Sequence, residues 1–133
     1  MAKRLKAPWL KFYGHHKKSL RYPNISMYDL VERNANQHPL DIAIDYFGNQ
    51  ISYEELMRQV DMAARGFKAL GIQRGDVISI CSANIPEAIY AIYAANKIGA
   101  VANIFHPLSA SAEIEHAINL TDSKYLVAID VSW

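Results

Sequence analysis

Residues 77–129 constrain the fold most, because they alternate three short β-prone runs with two helical ones. Val77, Ile78, Ile80 and Cys81 form a run that is nearly apolar throughout, as a strand needs when helices cover both faces of a parallel sheet. Pro86 follows at a helix-opening position, with Asn84 or Ile85 before it as the cap. Over 87–98 the only strongly polar side chains are Glu87, Asn96 and Lys97, which predicts a helix enclosed on most sides, and Gly99 ends it. Residues 101–105 are the next strand and Pro107 marks a loop. Ser109 or Ser111 can cap a helix reaching about Leu120, with Ile114, Ala117, Ile118 and Thr121 on one face and Glu113, Glu115 and Asn119 outside. A last apolar strand covers 125–129. The order β, α, β, α, β predicts the α/β class, with right-handed crossovers and a parallel sheet flanked by helices.

A helix and a short β-hairpin are expected upstream. Ser26 suits an N-cap, with Asp29 at the third helical position, and the helix should run to about Asn36 because Pro39 bars continuation. Ile42, Ala43, Ile44 and Tyr46 are β-prone, Gly48-Asn49 supplies the turn, and Ile51 resumes the second strand. Ser52-Tyr53-Glu54-Glu55 has the form of a capping box. The helix that it opens places Leu56, Val60, Ala63, Phe67 and Leu70 on one stripe, leaves Arg58, Gln59, Asp61, Arg65 and Lys68 wet, and stops at Gly71.

The chain has 133 residues, 51% of them apolar and 20% charged, which suits one packed domain and excludes a disordered or collagen-like chain. Its formal net charge of +1 gives no field that implies a nucleic-acid partner, but the charges are segregated. Residues 1–28 hold seven basic groups (Lys3, Arg4, Lys6, Lys11, Lys17, Lys18, Arg21) and no acid, whereas 29–133 hold seven basic and thirteen acidic groups, a balance of −6. Residues 1–24 therefore read as a basic, aromatic arm, carrying Trp9, Phe12, Tyr13 and Tyr22, ahead of the α/β body at 25–133. Basic residues interleaved with aromatics also match a membrane-surface segment, but no helical period organises the charges, so the aromatics are expected to dock on the body. No apolar run approaches the ~20 residues of a bilayer span, and no apolar segment follows the basic start as in a secretion signal. The single cysteine, Cys81, excludes an internal disulfide and suits a reducing, cytoplasmic setting.

Candidate chemistry is sparse. The six glycines (14, 48, 66, 71, 75 and 99) are never closer than four apart, so neither a Walker loop nor a dinucleotide fingerprint is present. Residues 71–76 (Gly71-Ile72-Gln73-Arg74-Gly75-Asp76) lie after a helix C-terminus, which repels phosphate, and read as a turn. His15, His16, His38, His106 and His116 show no metal spacing, and His116 with Glu113 reads as a solvated pair. His106 and Cys81 each stand at the C-terminal end of a strand, where open α/β sheets place ligands, although Cys81 also reads as a buried packing residue.

Two stretches resemble a known family. Ile51-Ser52-Tyr53-Glu54-Glu55-Leu56 resembles the opening core motif of the adenylate-forming (AMP-binding) superfamily, which contains acyl-CoA synthetases, luciferases and peptide-synthetase adenylation domains. Asn96-Lys97-Ile98-Gly99-Ala100-Val101-Ala102-Asn103 with Pro107 resembles its second core motif. Gly71, Gly75 and Asp76, then Pro86 and Glu87, match between them in the family's order, so the resemblance covers about 25–130. It identifies Ser52, Tyr53, Glu55, Leu56, Gly71, Gly75, Asp76, Pro86, Lys97, Gly99, Ala100 and Pro107 as structural motif residues, with no catalytic, cofactor-binding or metal residue among them.

The resemblance implies the incomplete N-terminal part of the large domain of an acyl-CoA synthetase, of the long-chain fatty acid-CoA ligase type. The parent's substrates would be ATP with Mg²⁺, a carboxylate and CoA, and its remainder would be this segment's partner. The phosphate-binding loop and the catalytic lysine come later in the family than Trp133, so the chain is expected to be inactive alone and to self-associate through uncovered surface. Two other readings remain: a stand-alone binding or scaffold module of the same fold, and a small redox or hydrolytic enzyme using Cys81 or His106.

Overall fold

The computed structural model describes residues 7–17 and 19–129. Lys3, Arg4, Lys6 and Lys18 of the basic arm, and Asp130 and Trp133, lie outside the described residues. A 3₁₀ turn, Pro8–Phe12, is the one regular element in the described arm. The body follows in the order α1 (Met27–Gln37), β1 (Ile42–Tyr46), β2 (Asn49–Ser52), α2 (Tyr53–Ala69), β3 (Val77–Cys81), α3 (Pro86–Ile98), β4 (Val101–Phe105), α4 (Ser111–Leu120) and β5 (Tyr125–Ala128).

The three strands form the expected parallel sheet, in the order β4-β3-β5. Register places Ile78 beside Ala102 and Tyr125, and Ser79 beside Asn103 and Leu126. Alternation then sorts the faces. Ile78 and Ile80, both fully buried, join Ala91, Ala94 and Ala95 of α3 and Leu56, Val60, Ala64 and Phe67 of α2 in one core. Each fully buried Ile or Val of that core is worth roughly 1.5–3 kcal/mol over its exposed state. The alanine face of α3 lets α2 approach closely, because interaxial distance follows side-chain size. Ser79, Cys81, Asn103, Phe105 and Leu126 face the other way, toward α4.

Local chemistry explains most boundaries. At α1, Ser26 Oγ accepts the Asp29 amide at 3.0 Å and the Asp29 carboxylate accepts the Ser26 amide at 2.9 Å, a complete capping box. α2 ends in a full Schellman stop: the Gly71 amide donates to Lys68 at 3.0 Å and the Ile72 amide to Phe67 at 3.1 Å, with Gly71 at φ +84°. α3 ends the same way, through Gly99 to Asn96 and Ala100 to Ala95, with Gly99 at φ +78°.

Some expectations are corrected. The hairpin turn is Phe47-Gly48, both at positive φ (51° and 83°), and Asn49 already belongs to β2 and pairs with Tyr46. This is a type I′ turn, whose twist matches the strands. The Gly48 amide, reaching back to Asp45 Oδ1 at 3.0 Å, fixes it one residue earlier than Gly48-Asn49. On α2 the fully buried stripe runs through Ala64, with Ala63 half-buried against the same core, and Leu70 is exposed as the last residue before the left-handed turn. Neither Ser109 nor Ser111 caps α4. Ala110 occupies that position, its amide donating to the Glu113 carboxylate at 3.2 Å. β5 ends at Ala128, although the Ile129 amide still donates to Cys81 O. The arm's aromatics do not dock on the body: Trp9, Phe12 and Tyr22 are 56%, 79% and 82% exposed.

Candidate functional site

The motif residues gather at the helix starts and at the N-terminal edge of the sheet. At α2, Ser52 Oγ accepts the Glu55 amide at 3.2 Å, the Tyr53 amide donates to Asp41 O at 3.0 Å and the Glu54 amide to Pro39 O at 2.9 Å. All three first-turn amides are used within the chain, so this helix end offers nothing to an anion. The second half of the expected box is absent because Glu55 has better donors. Arg58 binds its carboxylate through Nε at 2.8 Å and Nη2 at 2.7 Å, and Gln59 adds a bond at 2.7 Å. The Arg58 hydrogen bond, then that from Gln59, pulls the Glu55 pKa down to about 2. Tyr53 packs against the core and Leu56 lies within it.

Residues 73–76 form a β-turn. The Asp76 amide donates to Gln73 O at 3.2 Å, Gly75 takes φ +90°, and the Asp76 carboxylate accepts the Gln73 amide at 2.7 Å. The Gly75 amide donates to Gly99 O at 2.9 Å, and Asp76 O accepts the Val101 amide at 2.8 Å. Thus Gly75 and Asp76 meet Gly99 and Val101, from two separate stretches, at one place and set where β3 and β4 begin. A Cβ on Gly99 would lie 2.9 Å from Arg74 Cγ, so glycine is required there by space as well as by φ.

Lys97, just upstream, joins three helices. Its ammonium bonds Asp61 of α2, lies 2.7 Å from the Tyr28 hydroxyl of α1 and sits 4.7 Å from the centre of the Tyr28 ring. The Tyr28 hydroxyl donates to Glu32 at 2.6 Å, and the Tyr28 amide donates to Asn96 Oδ1 at 2.8 Å. Burial opposes the charge on Lys97, but the hydrogen bonds that it donates to Asp61 and Tyr28 outweigh it and its pKa is raised. Burial, then the bond to Glu32, raises that of Tyr28.

The C-terminal end of the sheet holds the remaining candidates. Pro86 opens α3 after Ile85, which has no capping side chain, and Ser82 Oγ is buried without a hydrogen-bond partner among the described residues. His106 Nδ1 accepts the Leu108 amide at 3.1 Å and His106 O accepts the Ser109 amide at 3.0 Å, so His106 braces the turn through Pro107. Glu113 is engaged by Ala110, and His116 is exposed. Cys81 is buried and lines an open cavity of about 450 Å³ with Phe105, Ile114, Ile118 and Leu126, while Ser111, Glu115 and Asn119 stand at its polar side. This cavity was not legible in the sequence, because it depends on how α4 stands off the sheet.

Asn103 was also missed as a functional anchor. Its amide nitrogen reaches Ser79 Oγ at 3.1 Å, Ala117 O at 3.2 Å and Thr121 Oγ1 at 3.1 Å, tying α4 to the sheet around a serine with no exposed surface.

These residues do not fit the phosphates of ATP. The amides of Gly71, Ile72, Gln73, Gly75 and Asp76 are all bonded within the chain. Among the described residues no three His, Cys, Asp or Glu side chains converge as a metal would need.

A family model described as AMP-binding enzyme matches residues 31–132. The chain belongs to this family. The acetyl-coenzyme A synthetase of Penicillium chrysogenum is 32% identical over 109 residues, covering 77% of this chain and 16% of that protein. That of Phycomyces blakesleeanus is 39% identical over 83 residues, covering 58% of the chain and 12% of the relative. Among solved structures, the artificially fused adenylation-PCP di-domain NpsA-ThdA from Klebsiella oxytoca superposes with a TM-score of 0.79 at 24% identity, over 84% of this chain and 21% of that one. The chain thus spans about one sixth of the first of these relatives, with the fold of the N-terminal subdomain of adenylate-forming enzymes. None of its helices among the described residues is long and apolar enough to cross a membrane.

Proposed function

We propose that this chain is the N-terminal scaffold of an ATP-dependent acyl-CoA ligase. In the parent reaction a carboxylate attacks the α-phosphate of ATP and expels pyrophosphate, and the CoA thiol then displaces AMP from the acyl-adenylate. The observation that carries the reading is the junction at Gly75 and Gly99: two family motifs 24 residues apart interlock by backbone bonds, and the amides of Gly71, Ile72, Gln73, Gly75, Asp76, Gly99 and Ala100 are spent within the chain. The motif residues named above therefore act as architecture, the arm at 1–24 and the body at 25–133 are separate units of that scaffold, and ATP, Mg²⁺ and CoA bind to the remainder of the parent. A CoA acceptor is favoured over a peptide-synthetase carrier by the names of the relatives that are 30% identical or more. These three names concern acetate, so the fatty-acid reading rests on the arm, Pro8-Trp9 and Tyr13 leading to Tyr28. A cytoplasmic site is supported by the lone, unpaired Cys81.

The test is ATP–pyrophosphate exchange by the isolated chain, with a panel of short- to long-chain carboxylates, beside its melting temperature with and without ATP and Mg²⁺. No exchange and no shift are expected. Clear ATP-dependent exchange overturns the scaffold reading and points to a self-contained enzyme. An in-frame glycine- and threonine-rich loop after Trp133 in the gene supports the ligase; a stop codon there favours a stand-alone module.

A further inference from the structure

We propose that the N-terminal arm is a peripheral anchor for bilayers rich in anionic phospholipid. Every described residue from Lys11 to Ile25 is exposed, so the arm buries neither its charges nor its rings against the body. Trp9, Phe12, Leu20 and Tyr22 stand in solvent, together with Lys11, Lys17 and Arg21. The Lys11 ammonium lies 4.8 Å from the centre of the Phe12 ring, so a cation and an apolar ring are presented at one spot. Large apolar side chains left in water over a short segment signal a partner, and the seven basic groups and no acid in residues 1–28 give that partner's sign.

An anionic bilayer fits both halves of this chemistry. Aromatic rings settle at the headgroup level while Lys and Arg meet lipid phosphates, and each basic side chain brought to such a surface strengthens binding about fivefold. The acidic body, with a balance of −6, is repelled by the same surface and is therefore held outward. Nucleic acid shares the charge requirement, but exposed Leu20 and Ile25 have no π-face to stack on a base, whereas they gain from contact with acyl chains. The inference stands apart from the ligase reading, because its readout needs no catalysis.

The experiment uses the full chain carrying Trp133→Phe, so that Trp9 is the sole indole. Its fluorescence is followed on adding vesicles of phosphatidylcholine alone or with about 30 mol% phosphatidylglycerol, at about 0.1 and 0.5 M NaCl. A blue shift is expected with anionic vesicles, with binding at least about tenfold tighter than to neutral ones and weakened several-fold by salt. The triple variant Lys11→Glu, Lys17→Glu, Arg21→Glu should bind at least about 100-fold more weakly, and Phe12→Ser with Tyr22→Ser should weaken binding without altering the circular dichroism of the body. Equal binding to neutral and anionic vesicles, or no blue shift, overturns the proposal. So does a Trp9 response to a single-stranded oligonucleotide that anionic vesicles fail to compete away.

Discussion

The ammonium of Lys97 lies 2.7 Å from the hydroxyl of Tyr28, 69 residues earlier, and at the same time over the face of its ring. Both partners are held to second groups, Lys97 to Asp61 and Tyr28 to Glu32, so α1, α2 and α3 share one polar junction. A single charge-assisted bond of this kind is worth about 1.5–3 kcal/mol when buried, and the part-exposed position reduces it to about 1 kcal/mol. Urea unfolding of Lys97→Met, Tyr28→Phe and the double variant should therefore give single losses of about 1 kcal/mol each and a coupling above about 0.5 kcal/mol. The pKa values of both Lys97 and Tyr28 are raised on folding, so their contribution is complete below pH 10.0 and lost as pH rises past 10.5. Additive single effects would remove the junction from the account.

Two glycines should respond to alanine with opposite signs. Gly99→Ala forces a left-handed conformation on a side chain whose Cβ meets Arg74 Cγ, and should cost about 1–3 kcal/mol. Gly66 lies in the last turn of α2 with open space around it and no positive φ, so Gly66→Ala should stabilise by about 0.5–1 kcal/mol. Adding Arg74→Ala to the first variant should return only the steric part of its loss. Thermal melts of the four proteins decide it.

The two N–H groups of Asn103 Nδ2 are shared among three oxygens, and that role has a directional test. Asn103→Asp removes every donor while keeping shape, leaving a carboxylate against Ser79, Ala117 O and Thr121. It should cost about 1–3 kcal/mol, because the Ser79 and Thr121 hydroxyls can turn to donate to the carboxylate but Ala117 O is left facing a half-buried charge. Hydrogen exchange should show α4 losing protection before β3.

Glu55 sets an acid limit. Its pKa falls from 4.5 to about 2 on folding, so its stabilisation is complete above pH 4.5 and is lost as pH drops toward 2. Glu55→Gln should melt slightly below the parent at pH 7, with the gap closing between pH 4.5 and 2. A gap independent of pH would assign the effect to packing.

Both outer strands present unpaired edges among the described residues, and Val101, Ile104 and Leu126 are exposed along them. Self-association should follow. Sedimentation velocity should show a concentration-dependent species that Ile104→Lys with Leu126→Lys abolishes. A monomer at all concentrations would show that these edges are sufficiently protected alone.

What the sequence made legible was what neighbours in sequence decide. Ser26, Ser52, Gly71 and Gly99 announce helix ends because their caps close within a few residues. The apolar run at Val77 announces a buried strand because both faces must be covered. The Lys97 junction and the Asn103 anchor were not legible, since their partners lie many residues away and polar side chains carry no address. The Glu55 carboxylate shows the same limit at short range: the box pattern was present, but a bidentate guanidinium one turn on took the carboxylate. The arm was legible in charge and not in exposure, because composition cannot say whether an aromatic finds a surface.

The order β4-β3-β5 bears on synthesis. β3 is made first and lies between the two later strands, so each new strand adds to one that is already present, first on one side and then on the other. Ile78 meets Ala102 after 24 residues and Tyr125 after 47. At about 5–20 residues per second, the first pairing partner leaves the ribosome within about 1–5 s of β3. The segment can thus assemble vectorially, one strand at a time in the order of translation.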